Sequence, residues 1–324
     1  MARETAAPTE GEAMTAWRVN AFGPPAAMSF ELVPRPVPGP GEVLVKVHAA
    51  GVGPWDGWIR AGQSALPQPL PLTLGSDLSG VVVAYGSEVT GLKLGDPVFG
   101  VTNPRFVGAY AEYAVASAAM LTGKPLSLSH VEAASVPVIA VTAWQGLFEE
   151  ARLQPGQTVL IHGAAGNVGA YAVQLAHQAG LQIIATAGAG DSAFVLSLGA
   201  DRVIDYRAQR FEDEVKDVDA VLDLVGGDTQ TRSFKVLRRG GRLISAVTQP
   251  DAAQADQHGV NAAFFLVQVT TERLSRIATL MEAGQLNPRV GAILPLAKAR
   301  DAHLMLEGVL PAPKGKLVLH VVTD

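Results

Sequence analysis

Short apolar runs, each cut off by glycine or proline, fill the chain from Met14 to about Lys124. Runs 43–47 and 80–84 are examples, with Pro34, Pro36, Pro38 and Pro40 standing just ahead of the first. This spacing predicts short strands joined by turns. From about 159 to 266 the pattern changes. Apolar runs 159–162, 181–186, 220–225 and 243–247 alternate with helical stretches such as 168–178. That alternation predicts a parallel sheet with crossover helices. Residues 272–283 and 297–307 read as helices, and 316–322 as a final strand. The longest apolar region, 131–148, is interrupted by Glu132 and Pro137, so no membrane span is expected. Residues 1–13 are polar and carry three glutamates, which predicts a flexible tail, with Met14 as an alternative start.

Composition narrows the class. With 324 residues, 48% of them apolar and 17% charged, the chain exceeds one typical domain, and two are expected. A formal net charge of −5 supplies no overall positive field, so nucleic acid is not an expected partner. The absence of cysteine excludes disulfides, thiolate zinc sites and a cysteine nucleophile. It also removes any reason to expect an oxidising compartment, and a cytoplasmic enzyme is the expectation.

Residues 158–169 read Thr-Val-Leu-Ile-His-Gly-Ala-Ala-Gly-Asn-Val-Gly, followed by Ala-Tyr-Ala-Val-Gln-Leu-Ala. An apolar strand enters a glycine turn and leaves as a helix whose Val168, Tyr171, Ala172, Leu175 and Ala176 share a face. This is the setting of a dinucleotide fingerprint. Ala164 takes the tight turn, Gly166 admits the diphosphate to the backbone, and Gly169 lets the helix approach the sheet. Ala165, Asn167 and Val168 complete the loop, whose helix end offers free N–H groups and a positive dipole. The alternative is a purely structural turn.

Cofactor choice is read at the end of the next strand, where Thr186 leads into Ala-Gly-Ala-Gly, with Gly188 at its centre. No carboxylate stands there to hold ribose hydroxyls, so a 2′-phosphate meets no repulsion and NADPH is expected over NADH. Asp191 follows closely, and no cation lies in the loop. Arg202, Tyr206, Arg207 and Lys316 are the distant candidates for phosphate contact.

Residues 197–206 (Ser-Leu-Gly-Ala-Asp-Arg-Val-Ile-Asp-Tyr) and 221–227 (Val-Leu-Asp-Leu-Val-Gly-Gly) follow the glycine segment in the order seen in zinc-independent quinone oxidoreductases. Those proteins, which include the ζ-crystallins, belong to the medium-chain dehydrogenase/reductase superfamily. Segments 51–56, 74–81 and 108–113 resemble that superfamily's GroES-like catalytic domain. The resemblance covers nearly the whole chain after Met14. It implies an α/β fold: a Rossmann doubly wound parallel sheet domain plus a mostly-β GroES-like domain. The expected division is a tail 1–13, a catalytic domain 14–135, a Rossmann domain 136–265, and a segment 266–324 that completes the Rossmann sheet edge and returns to the catalytic domain. A homodimer is also implied, with run 262–269 as the candidate edge or else a buried central strand.

Zinc alcohol dehydrogenases share the architecture, but the positions matching their catalytic ligands are Gly53, Ser76 with Asp77, and Thr142, which form no zinc set. No zinc is therefore expected. The seven histidines lack ligand spacing. Without a metal Lewis acid, reducing an electrophilic quinone or enone is easier than oxidising an alcohol. The activity implied is NADPH-dependent reduction of a quinone. Its alternatives are a 2-alkenal or enone reductase and a non-catalytic, crystallin-like NADPH-binding protein.

Several residues hold two readings. Asp56 matches a recurring family acid and either relays a proton or bonds a loop backbone, while Gly53 stands where the family often has asparagine. Trp55 and Trp58 either line a substrate cleft or belong to the core. Thr142 contacts the cofactor or packs a helix. Val225 and Gly226, then Val247 and Thr248, end two sheet strands and lie beside the cofactor or form ordinary turns.

Overall fold

The computed structural model describes residues 12–321, so the expected tail falls almost entirely outside the described residues. Ala13, placed in that tail by the sequence reading, already belongs to a strand. The described chain divides into two compact units. One holds residues up to Val138 with Val269–Gly284 and residues from Pro288 on; the other holds Ile139–Gln268 with Gln285–Asn287.

The first unit begins with strands β1 (Ala13–Val19), β2 (Met28–Pro34), β3 (Glu42–Val52), β4 (Leu72–Thr73), β5 (Asp77–Tyr85), β6 (Pro97–Val101), β7 (Tyr113–Ser117) and β8 (Leu121–Gly123). Prolines and glycines between the runs keep them short, as expected of a turn-rich β domain. β1 pairs antiparallel with β2 and β4 in a small separate sheet. β3 is rich in valine and buried over most of its length, with strands on both edges, which makes it the centre of a larger sheet.

The second unit contains β9 (Thr158–Ile161), β10 (Gln182–Ala187), β11 (Arg202–Asp205), β12 (Val218–Asp223), β13 (Leu237–Ser245) and β14 (Asn261–Phe264). They pair in the order β11-β10-β9-β12-β13-β14, every neighbour parallel. Helices cover such a sheet on both faces, which is why Val159, Leu160 and Ile161 are all fully buried. The strand order reverses between β9 and β12. Ligands of doubly wound sheets bind at that switch point, beyond the carboxyl ends of the strands. Run 262–269 contributes to β14, which is an edge strand and not a central one.

The chain then returns through helix Thr271–Glu282 to β15 (Val290–Pro295) and β16 (Lys316–His320). The helix buries Leu274, Ile277 and Met281, and Thr271 Oγ1 donates to the Leu121 carbonyl at 2.8 Å, tying it to the first unit. β16 pairs with β3 at Ala49–Val52, and β7 takes the rest of that edge at residues 42–46. β5 occupies the opposite edge, so the sheet runs β15-β16-β3-β5-β6-β8 with β7 on β3. This corrects one expectation: the strands after residue 266 complete the sheet of the first unit, while β14 closes that of the second. β15 and β16 pair in parallel, a pattern that sequence periodicity does not distinguish from a Rossmann edge. No helix among the described residues is long and apolar enough to cross a membrane.

Candidate active site

In the second unit, the glycine turn leaves β9 and enters helix Asn167–Gln178 through Gly166, whose backbone is extended. No side chain caps this helix, so its first N–H groups are open to a ligand. A Cβ on Gly169 would lie 2.3 Å from the Gly163 carbonyl oxygen and 2.7 Å from the Ala164 Cα. Only glycine permits that approach of helix to turn. The Ala164 N–H donates to the Thr186 carbonyl at 3.1 Å, which fastens the turn to the end of β10.

His162 braces the turn from behind. The Ser233 hydroxyl donates to the Thr229 carbonyl at 2.7 Å, so it accepts from His162 Nε2 at 3.0 Å. Nδ1 is therefore the acceptor, facing the Thr186 hydroxyl at 2.9 Å. Burial pushes the imidazole pKa down to about 4, chiefly by desolvation, which keeps it neutral. Thr186 thus supports the loop through both its polar groups and sits 4% exposed. Gly188 and Tyr206 meet at the same edge: a Cβ on Gly188 would be 3.9 Å from the Tyr206 ring, and the Arg207 guanidinium lies 5.6 Å from that ring's centroid.

The ends of β12 and β13 are organised by Asp223, which the sequence reading did not single out. Its Oδ1 accepts the N–H groups of Val225 and Gly226 at 3.0 and 2.8 Å, and its Oδ2 accepts from Gln230 and Ser245, both at 2.9 Å. Ser245 Oγ in turn accepts from Val247 and Thr248, both at 3.2 Å. A Cβ on Gly163 would meet Val225 at 3.2 Å, and one on Gly226 would meet Thr248 at 3.3 Å and Val247 at 3.5 Å. The residues Ala164–Gly169, Val225, Gly226, Val247 and Thr248 therefore gather at one carboxyl edge. An acid ending an apolar strand just before Gly-Gly was the available signal for Asp223. Thr142 lies in helix Pro137–Trp144 of this unit and is 7% exposed.

In the first unit, helix Pro54–Arg60 carries the other candidates. Asp56 is fully buried; its Oδ2 accepts the Gly53 N–H at 2.8 Å and the Tyr110 hydroxyl at 2.9 Å. Its Oδ1 is buried with no hydrogen-bond partner. Desolvation raises this carboxyl to about 7, against the opposing pull of the Gly53 N–H, Lys316 and Tyr110. Since both donors occupy Oδ2, the protonated form carries its proton on Oδ1. The Gly53 bond supports the structural reading of Asp56, and the raised pKa equips the same group to hold a proton at neutral pH. Trp58 is 55% exposed and Trp55 half-buried.

Lys316, offered above as a phosphate contact, is 1% exposed and donates to Asp77 Oδ2 at 2.9 Å. Asp77 Oδ1 accepts the Val138 N–H at 3.1 Å. Burial raises the Asp77 carboxyl, and the neighbouring lysine opposes the rise. The structure commits this ammonium to a carboxylate inside the first unit. Sequence spacing did not reveal the pair, because β5 and β16 meet only through β3.

The titration of Asp56 makes the stability of the protein pH-dependent. Unfolded, the carboxyl ionises near 3.8; folded, near 7. The unfolded state therefore sheds its proton first, and stability falls as pH rises through that interval, by on the order of 4 kcal/mol for a shift of this size. Asp56→Asn is expected to flatten the fall. Urea denaturation of both proteins from pH 5 to pH 8 measures it, and parallel curves would show that Asp56 does not carry the effect.

Residues 39–126 match the alcohol dehydrogenase GroES-like domain family, and residues 198–319 match the family described as zinc-binding dehydrogenase. A quinone oxidoreductase from Sus scrofa is 33% identical over 308 residues, spanning 90% of this chain and 93% of that protein. The solved quinone oxidoreductase of Coxiella burnetii superposes with a TM-score of 0.88 at 35% identity, covering 96% of this chain and all of the other. The chain belongs to the quinone oxidoreductase family of the medium-chain dehydrogenase/reductase superfamily. Another relative of this quinone oxidoreductase family member, the Escherichia coli quinone oxidoreductase solved in complex with NADPH, has a TM-score of 0.83 at 28% identity, over 94% of this chain and 99% of that one.

Zinc, which one of the two family descriptions mentions, does not fit the matching positions in this family member. Gly53 offers no side-chain donor, Ser76 Oγ accepts the Trp55 indole N–H at 3.1 Å, and Asp77 is paired with Lys316. A dinucleotide does fit the second unit, where an uncapped helix end and a bare glycine turn lie at the switch point of the sheet.

Proposed function

We propose that this chain is an NADPH-dependent reductase that transfers hydride to a quinone without a metal. The observation that carries the reading is the gathered carboxyl edge of the six-stranded sheet: open N–H groups at the start of helix Asn167–Gln178, with no acid at the end of β10. Residues 164–169 hold the diphosphate of the cofactor, and Val225, Gly226, Val247 and Thr248, fixed by Asp223 and Ser245, flank it. Gly188, Tyr206 and Arg207 favour the 2′-phosphate: the first leaves room, and the exposed guanidinium supplies charge. Lys316 is left out of this set because its ammonium is spent on Asp77.

When bound, the reduced cofactor supplies a hydride. The acceptor gains two electrons with that hydride and takes one proton, so a quinone becomes a hydroquinone. The charge that develops spreads over the reduced ring, which lowers the demand for a metal Lewis acid. Asp56 keeps a proton on Oδ1 near neutral pH, and Tyr110 and Gly53 fix the carboxyl's orientation.

Metal-free protein mixed with NADPH and a panel of 1,4-quinones and α,β-unsaturated ketones and aldehydes tests the reading through loss of reduced-nicotinamide absorbance. We expect turnover with quinones above enones, and NADPH preferred to NADH by about tenfold or more, as one charge-assisted contact allows. A saturated carbonyl as the main product would make this an enone reductase. NADPH binding with no turnover would point to a non-catalytic role.

A further inference from the structure

His162 is the last residue before the glycine turn, and it is fully buried. Its backbone N–H donates to the Leu222 carbonyl at 3.0 Å, which continues the pairing of β9 with β12. Its side chain reaches in two directions. Nδ1 meets the Thr186 hydroxyl at the end of β10, and Nε2 meets Ser233, the final residue of helix Gly227–Ser233, which follows β12. Phe211 packs edge-on to the imidazole with ring centroids 4.6 Å apart, and the Arg232 guanidinium lies 4.8 Å from the Phe211 centroid. A leucine would fill this space without burying two polar nitrogens. What the imidazole adds is direction. The Ser233 proton is spent on the Thr229 carbonyl, so Nε2 carries the one N–H of a neutral ring and Nδ1 accepts. The Thr186 hydroxyl must then donate to it. Because the Thr186 carbonyl receives the Ala164 N–H, the orientation of Ser233 ends up fixing the first residues of the turn.

We propose that His162 is a positioning residue for the dinucleotide: its tautomer, dictated by Ser233, holds Thr186 and thereby sets the glycine turn in its binding shape before the cofactor arrives. The proposal rests on the reading above that this turn holds the diphosphate. His162, Thr186 and Ser233 then act as one relay from helix Gly227–Ser233 to the turn. Removing the Ser233 hydroxyl leaves two arrangements, both worse. Kept on Nε2, the imidazole proton faces a methyl group; moved to Nδ1, it points at Thr186 Oγ, whose own hydrogen must turn elsewhere in a buried site. N–H groups already aimed cost nothing to arrange when a ligand binds, so loosening them lowers affinity and not stability alone.

The test measures the NADPH dissociation constant by fluorescence titration in wild type, Ser233→Ala, Thr186→Val, Thr186→Ser and the double variant Ser233→Ala with Thr186→Val, each at a temperature where it is folded. Ser233→Ala and Thr186→Val each weaken binding about fivefold, the worth of one net hydrogen bond. The double variant loses no more than the worse of the two, whereas independent losses would multiply to about twenty-five-fold. Thr186→Ser, which keeps the hydroxyl, recovers most of what Thr186→Val loses. Nitrogen NMR spectra of histidine-labelled wild type show the His162 proton on Nε2, and Ser233→Ala moves part of it to Nδ1. Affinity within about twofold of wild type in either single variant, or a double-variant loss near the product of the two, overturns the inference and leaves His162 a packing residue. So does a wild-type imidazole with its proton on Nδ1, a result that needs no variant to fold. A wild-type protein that binds no NADPH overturns the cofactor reading and this inference with it.

Discussion

Replacing Lys316 with methionine is expected to lower the stability of the unit that contains it by about 3–5 kcal/mol at neutral pH, the usual cost of orphaning one member of a buried ion pair. Asp77 is fully buried, and without the ammonium it keeps only the Val138 N–H. Its carboxyl, already raised by burial, would rise further and take up a proton. A folded-state pKa above the unfolded value favours folding at low pH and loses that contribution as pH climbs, so the defect should be mild at pH 5 and full at pH 8. Adding Asp77→Asn to Lys316→Met should restore much of the loss, because the uncompensated charge is gone. Urea denaturation of wild type, single and double variants at both pH values is the measurement. A double variant no better than the single would mean that Lys316 contributes through packing, its contact with Trp55 included, and not through charge.

Gly169→Ala is expected to weaken NADPH binding by about a hundredfold, on the order of 3 kcal/mol. All three of the nearest atoms to the added methyl belong to the backbone of Gly163 and Ala164, and the shortest approach is 2.3 Å. No side chain can yield, so either the turn or the helix must move. Both hold the N–H groups proposed to bind the diphosphate, and a displacement of several tenths of an ångström misaims them. Fluorescence titration with NADPH reads the effect directly. Affinity within threefold of wild type would place the diphosphate away from this turn.

Much of this arrangement was legible in the residues. The helical spacing after Gly169 and the apolar runs around it pointed to a parallel sheet and marked four of its six strands, β9, β10, β12 and β13, because a strand buried on both faces has to be apolar throughout. The glycine turn could be assigned because its residue types serve local geometry. What escaped was non-local. Asp77 and Lys316 stand 239 positions apart and meet only because β16 lands on β3 beside β5. Lys316 consequently looked like a free cation. Asp223 escaped because its partners, Val225, Gly226, Gln230 and Ser245, are backbone amides and neutral side chains that announce no chemistry in a sequence. The segment after 266 was expected to complete the Rossmann edge before returning to the catalytic domain, whereas β15 and β16 both join the sheet of the first unit: a short apolar strand such as β16 suits either sheet, and its partner in β3 lies some 265 residues earlier.

The shared edge of β3 also sets an order of assembly during synthesis. Residues 49–52 are made early, yet their partners, Leu317–His320, emerge from the ribosome some 265 residues later. At about 5–20 residues per second, that half-edge waits on the order of tens of seconds, exposed to any other strand that can pair with it. The intervening sheet has all its strands between 158 and 264 and can close within that interval. A ribosome that stalls before residue 316 would thus release a chain with a completed six-stranded sheet, an open strand edge, and an Asp77 with no lysine to meet it.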